Sequence, residues 1–160
     1  MQLRMIVATV LLIALDLAAA TSARAQSVAD ADNAMHAMEL RMRALVTARK
    51  NLQHVESLRQ DPEANAARDI ADAETSVFSD AVKVFTVGFI VTGIKCPEDL
   101  RFTQQQFVLV VKSFVATADT EIARINQNLP AVAATAAHAE AVSIRDLIVD
   151  LRDLLKPFAT

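Results

Sequence analysis

The chain has 160 residues, of which 53% are hydrophobic, 22% are charged and only 4% are aromatic, and its net charge is −3. Two Gly and four Pro leave few positions for sharp turns, which argues against sandwich and barrel folds. The single Cys excludes an intramolecular disulfide framework and a Cys-based zinc or iron–sulfur site. The weak negative charge is not that of a nucleic-acid-binding protein, which needs a basic face.

The first 25 residues have the pattern of a cleavable signal peptide. Arg4 supplies a short basic region, residues 5–15 form an apolar run, and Ala23-Arg24-Ala25 is a small-x-small cleavage motif. The apolar run is shorter than the roughly 20 residues that a membrane-spanning helix needs, so we do not expect it to be retained as a membrane anchor. We also expect no stable membrane span in the mature chain. The sequence therefore predicts cleavage after Ala25 and a single mature domain, residues 26–160, in the bacterial periplasm or outside the cell.

The mature region divides at its prolines into four amphipathic segments. Apolar residues recur three and four positions apart in each, the spacing of one buried helix face. The predicted helices are residues 28–60, 62–92, 103–128 and 131–156. Long helices joined by short turns predict an all-α fold, an antiparallel up-down-up-down four-helix bundle.

Local signals support these boundaries. Asp61-Pro62-Glu63 is a helix start, because Asp caps free N–H groups, Pro needs no N–H partner and Glu complements the helix dipole. Phe102, Thr103 and Gln106 fit a hydrophobic staple with a capping box, which predicts the third start. Pro130 is expected to end that helix.

Two segments leave an alternative open. Residues 84–94 and 107–111 are apolar and rich in β-branched side chains, so composition alone would allow a β-hairpin. The apolar stripe that continues beyond 107–111 favours helix. Gly88 and Gly93 are expected to weaken the end of the second helix or to bend it.

Sulfur and nitrogen ligands near the start of the first helix suggest a metal or haem site. Thioethers of Met35 and Met38 could bind copper or haem together with the imidazole of His36. However, Met35 and Met38 lie on the apolar stripe, and His36 points about 100° away from it. Core packing is the favoured interpretation, and we predict no cofactor. The acidic row Asp146, Asp150 and Asp153 is interpreted as a solvated helix face.

The loop that contains Cys96 lies between the two most apolar segments. Cys96 is either a buried hydrophobic residue or an exposed coupling group, and with no His or Gly-rich loop near it we predict no enzyme activity. Burial in the core is the simplest role for this apolar end. The alternative is a contact surface for a protein partner or a second copy. The candidate contact residues are Phe89, Ile94, Cys96, Phe102 and Phe107.

Residues 96–114, with the pattern Cys-Pro-x4-Phe-Thr-x2-Gln-Phe-x2-Val-Val-x2-Phe, resemble the central segment of small helical immunity proteins. That resemblance implies neutralisation of type VI secretion effectors in the periplasm. Residues 102–106, Phe-Thr-Gln-Gln-Gln, are also similar to the Leu-Thr-x-x-Gln motif of periplasmic helical stress chaperones and metal-resistance sensors. We therefore expect an exported binding protein of immunity type, with an envelope-stress sensor or chaperone as the second hypothesis and a metal or haem carrier as the third.

Overall fold

The computed structural model describes residues 30–53, 62–93 and 97–160, with side chains described for 30–53, 63–88 and 104–160. Over these ranges the chain forms four α-helices and no strands. They are α1 (30–53), α2 (Pro62–Gly93), α3 (Pro97–Val132) and α4 (His138–Leu155), and a 3-10 turn follows at Lys156–Phe158. The all-α prediction is confirmed. The hairpin alternative is wrong for the described residues, since 84–93 belong to α2 and 107–111 to α3.

Polar contacts establish the antiparallel order of α1, α2 and α3. Arg49, late in α1, bonds to Glu74 in the first half of α2. Between α2 and α3, the Arg124 guanidinium donates to Asp69 at 3.0 Å and the Thr117 hydroxyl donates to Asp80 at 2.7 Å. In both helix pairs a later residue of one helix meets an earlier residue of the other, as an antiparallel arrangement requires.

The fourth helix closes the bundle. Arg152 of α4 donates to Asp119 of α3 at 3.0 Å, and the Phe158 ring packs edge-on against Phe107 with the centroids 6.0 Å apart. Asn51 of α1 approaches Glu140 of α4 at 3.4 Å. Each helix therefore has two antiparallel neighbours, which is the predicted up-down-up-down bundle.

The predicted apolar stripes form the core. Burying these side chains supplies most of the stabilisation of such a bundle, because it removes apolar surface from water. The large residues with no exposed surface are Met38, Leu45, Leu52, Ile70, Val77, Phe114, Ile125, Ile144, Ile148, Leu151 and Leu155. They come from all four helices, so a single core holds the molecule together.

The structure differs from the sequence prediction at both ends of α3. The helix begins at Pro97 rather than at 103, so Thr103 lies inside it and does not cap it. Pro97 followed by Glu98 and Asp99 is the same type of start signal that begins α2. At the other end α3 continues through Pro130 to Val132. Only two helical residues follow the proline, so little regular hydrogen bonding is lost.

The fourth helix begins later than its predicted start at 131. Residues 133–137 form a turn between α3 and α4 instead. The Thr135 hydroxyl donates to the Val132 carbonyl at 2.7 Å and accepts from the Ala137 amide at 3.2 Å. These side-chain bonds compete with helical hydrogen bonding, which explains why α4 starts only at His138.

Gly88 neither ends nor interrupts α2, which continues to Gly93. A Cβ atom at Gly88 would collide with the Met35 sulfur of α1 and lie 3.1 Å from the Phe107 ring of α3. A side chain at this position would therefore require the Met35 and Phe107 side chains to move, because three helices approach closely there.

Candidate binding surfaces

Of the five predicted contact residues, only Phe107 has its side chain within the described residues. The side chains of Phe89, Ile94, Cys96 and Phe102 lie outside the described residues. Phe107 is only 5% exposed and packs between Gly88 and Phe158. Its ring is part of the core.

An exposed apolar patch lies on α3, the helix that follows the predicted contact loop in the sequence. Leu109 is 57% exposed, and it lines a shallow depression of about 600 Å³. The residues around this depression, which we call the α3 surface, are Gln104, Gln105, Val108, Leu109 and Thr160. An exposed Leu beside uncharged polar side chains is suited to contact with another protein.

A second apolar feature is a groove between α1 and α2, with a volume of about 310 Å³. The residues that line it, which we call the α1/α2 groove, are Glu39, Met42, Arg43, Val46, Phe78 and Phe85. The charged members lie at its edge, where the Arg43 guanidinium donates to the Glu39 carboxylate at 2.6 Å. The sequence analysis did not identify this groove. Spacing alone does not reveal it, because the packing of α1 on α2 determines that Met42, Val46, Phe78 and Phe85 remain partly exposed.

The candidate metal ligands are not brought together. Met35 and Met38 are buried in the core, whereas the His36 side chain is 76% exposed and lies 4.0 Å from Asp32. Over the described part of the chain, no three His, Cys, Asp or Glu side chains are grouped as a metal site requires.

The acidic row on α4 has the predicted arrangement. Asp146 and Asp153 accept hydrogen bonds from the adjacent Arg145 and Arg152, and Asp150 is also exposed. His138 is partly buried, and its Nδ1 has no hydrogen-bond partner. The turn before α4 makes His138 the first residue of that helix. In the predicted helix 131–156 the same residue lies in the interior, so spacing along that helix does not indicate its surroundings.

Glu74 is the buried charged residue of the described core, and the sequence analysis missed it. Its side chain has no exposed surface, one carboxylate oxygen lies 3.4 Å from the Arg49 guanidinium, and the other has no hydrogen-bond partner. Burial raises the pKa of Glu74 above its ordinary value of 4.5, and Arg49 opposes the rise only in part. The available signal was its position, four residues after Ile70 and three before Val77 on the apolar stripe.

A second polar group links α2 to α3. Burial alone would raise the pKa of Asp80, but hydrogen bonds from Lys83 and Thr117 outweigh it and hold the pKa below 3.8. Asp80 is thus ionised at neutral pH and fixes the register of the two helices.

No protein-family model matches this chain, and neither curated proteins nor solved structures gave a significant match. Among the described helices, none is both long enough and apolar enough to cross a membrane.

Proposed function

We propose that this chain is an exported helical protein that acts by binding a protein partner in the periplasm, without catalysis. In its most specific form, the proposal is that the partner is a secreted effector that this protein neutralises. The export signal in residues 1–25 and the immunity-type pattern in residues 96–114 support the proposal from the sequence.

The observation that carries the proposal is the exposed α3 surface. Leu109 leaves more than half of its side chain in water, although burying a Leu side chain is worth about 1.5–3 kcal/mol. Apart from Thr160, the residues of this surface lie within the segment 96–114, whose pattern resembles immunity proteins. Its flanking Gln104 and Gln105 side chains can donate and accept hydrogen bonds at the edge of an interface.

The test compares two exposed leucines. The exported chain is immobilised and exposed to periplasmic extract of its own source, and we expect one protein to be retained in stoichiometric amount. Leu109→Asp should abolish retention, since it places a charge at the centre of the contact. Leu40→Asp is the matched control, because Leu40 is 70% exposed on α1 and lies in neither surface.

The outcomes separate the hypotheses. Loss of the partner with Leu109→Asp and its retention with Leu40→Asp would support the α3 surface. Equal retention by both variants would exclude it. Retention of many unfolded proteins instead of one would favour the chaperone hypothesis and contradict the effector-binding proposal.

A further inference from the structure

The surface around the α1/α2 groove has the composition of a protein interface. Met42 and Val46 of α1 and Phe78 and Phe85 of α2 form its apolar centre. Val82, one turn from Phe78 and Phe85, is 41% exposed. An apolar centre with a polar edge is the usual anatomy of an interface between proteins.

The α2 side of this surface is uncharged. One exposed face of α2 carries four uncharged residues: Thr75, Ser79, Val82 and Thr86. They are four, three and four residues apart, which is the spacing of a single helix face. The hydroxyls of Thr75 and Thr86 donate to the carbonyls of Ala71 and Val82 in their own helix. Covering this face costs little, because these hydroxyl protons keep their partners when water is removed.

The α1 side carries charges that are separated along the helix. Four charged residues of α1 are exposed or lie at the groove edge: Asp32, Glu39, Arg43 and Lys50. They are seven, four and seven residues apart, which places them on one face of the helix. Both acids lie in the N-terminal half of this row and both bases lie in the C-terminal half. Two copies of this row that run in opposite directions therefore place acidic residues opposite basic residues.

One antiparallel register satisfies the whole row. If a second α1 runs in the opposite direction with its centre between Glu39 and Arg43, Glu39 of each copy lies opposite Arg43 of the other. The same register places Asp32 opposite Lys50 on both sides. Such two-way pairing is the requirement of an interface with twofold symmetry, in which the same patch is used by both copies.

We infer that the α1/α2 groove and its flanking rows form a self-association surface, on which a second copy of this chain packs with its α1 antiparallel. The apolar groove residues supply the affinity of the dimer. The charged row selects the register and opposes other alignments, in which like charges would meet. This surface is separate from the α3 surface of the proposed function, so either can fail without the other.

The first test is the oligomeric state. Sedimentation equilibrium of the exported chain, from micromolar to millimolar concentration, should give a monomer–dimer equilibrium. Val46→Glu should raise the dimer dissociation constant by about 100-fold, because it places a charge in the apolar centre. Leu109→Glu, on the α3 surface, is the control and should leave that constant unchanged. Far-UV circular dichroism of each variant verifies that it is folded.

The second test uses the charged row. Glu39→Lys and Arg43→Glu should each raise the dissociation constant by about tenfold, because each makes like charges meet across the twofold axis. In an equimolar mixture of the two variants the opposite charges meet again, and a heterodimer of near-native affinity should form. Both variants lose their own bond between residues 39 and 43, so that loss cannot explain a recovery on mixing.

Three results would overturn the inference. A monomer at every concentration would exclude self-association. A dimer that is unaffected by Val46→Glu would use a different surface. A mixture of Glu39→Lys and Arg43→Glu that associates no better than either variant alone would exclude the antiparallel register.

Discussion

At the scale of single residues, burial of Glu74 makes the stability of the fold depend on pH. Its folded-state pKa is raised by burial, so between its ordinary value of 4.5 and the raised value the folded protein binds more protons than the unfolded chain. Stability contributed by this group is therefore present at low pH and is lost as pH rises through the raised pKa. Arg49 limits the loss but leaves one carboxylate oxygen without a partner.

We predict that Glu74→Gln raises the free energy of unfolding at pH 7 by roughly 1 kcal/mol, because it removes a buried charge while its carbonyl can still accept from Arg49. The substitution should also flatten the decline of stability as pH rises from 4.5 towards 7. Urea unfolding at several pH values measures both effects.

Arg49→Gln provides the opposite comparison. It removes the cation that lowers the pKa of Glu74, so the decline of stability with rising pH should become steeper. A Glu74→Gln variant that is less stable than the native chain at pH 7, with an unchanged pH profile, would show that the charged pair stabilises the fold.

At the scale of helices, Gly88 near the C-terminal end of α2 marks a close approach of three helices. Gly88 faces Met35 of α1 and Phe107 of α3, and an added Cβ would be too close to both side chains. Alanine stabilises exposed helix positions by about 1 kcal/mol relative to glycine. At Gly88, the close contacts that a Cβ would make with Met35 and Phe107 oppose this stabilisation.

We predict that Gly88→Leu lowers the free energy of unfolding by about 1–3 kcal/mol, since the added side chain overfills the junction of α1, α2 and α3. Met35→Ala in the same chain should recover part of the loss by making space. Urea unfolding of the single and double variants measures the coupling. Equal stability of Gly88→Leu and the native chain would mean that the junction has unfilled space.

At the scale of the whole molecule, the four helices account for residues 30–53 and 62–155 apart from the short connections. The sequence pattern of residues 1–25 predicts an export signal ahead of these helices. Its predicted removal would leave every described helical residue in place, because these residues all follow Ala25.

We predict that the exported chain begins at Gln26, as signal peptidase cleaves after the small residue Ala25. Intact-mass measurement of the periplasmic protein should give the mass of residues 26–160. Ala25→Phe should retain the precursor, because the enzyme requires a small residue there, and Ser22→Phe is the control outside the motif. A full-length protein in the periplasmic fraction of the native chain would contradict the prediction.

The amino-acid sequence by itself determined the helical class and much of the core, because Met38, Val77, Phe114 and Ile148 each belong to an apolar stripe with the three-and-four spacing of a helix face. Short turns between long helices determined the antiparallel order. Tertiary structure decided what that spacing leaves open. Whether Phe107 is a contact residue or a core residue depends on Gly88 and Phe158, which lie on distant parts of the chain. The groove beside Met42 and the burial of Glu74 likewise arise only when α1 packs on α2, since exposure is a property of neighbours in space.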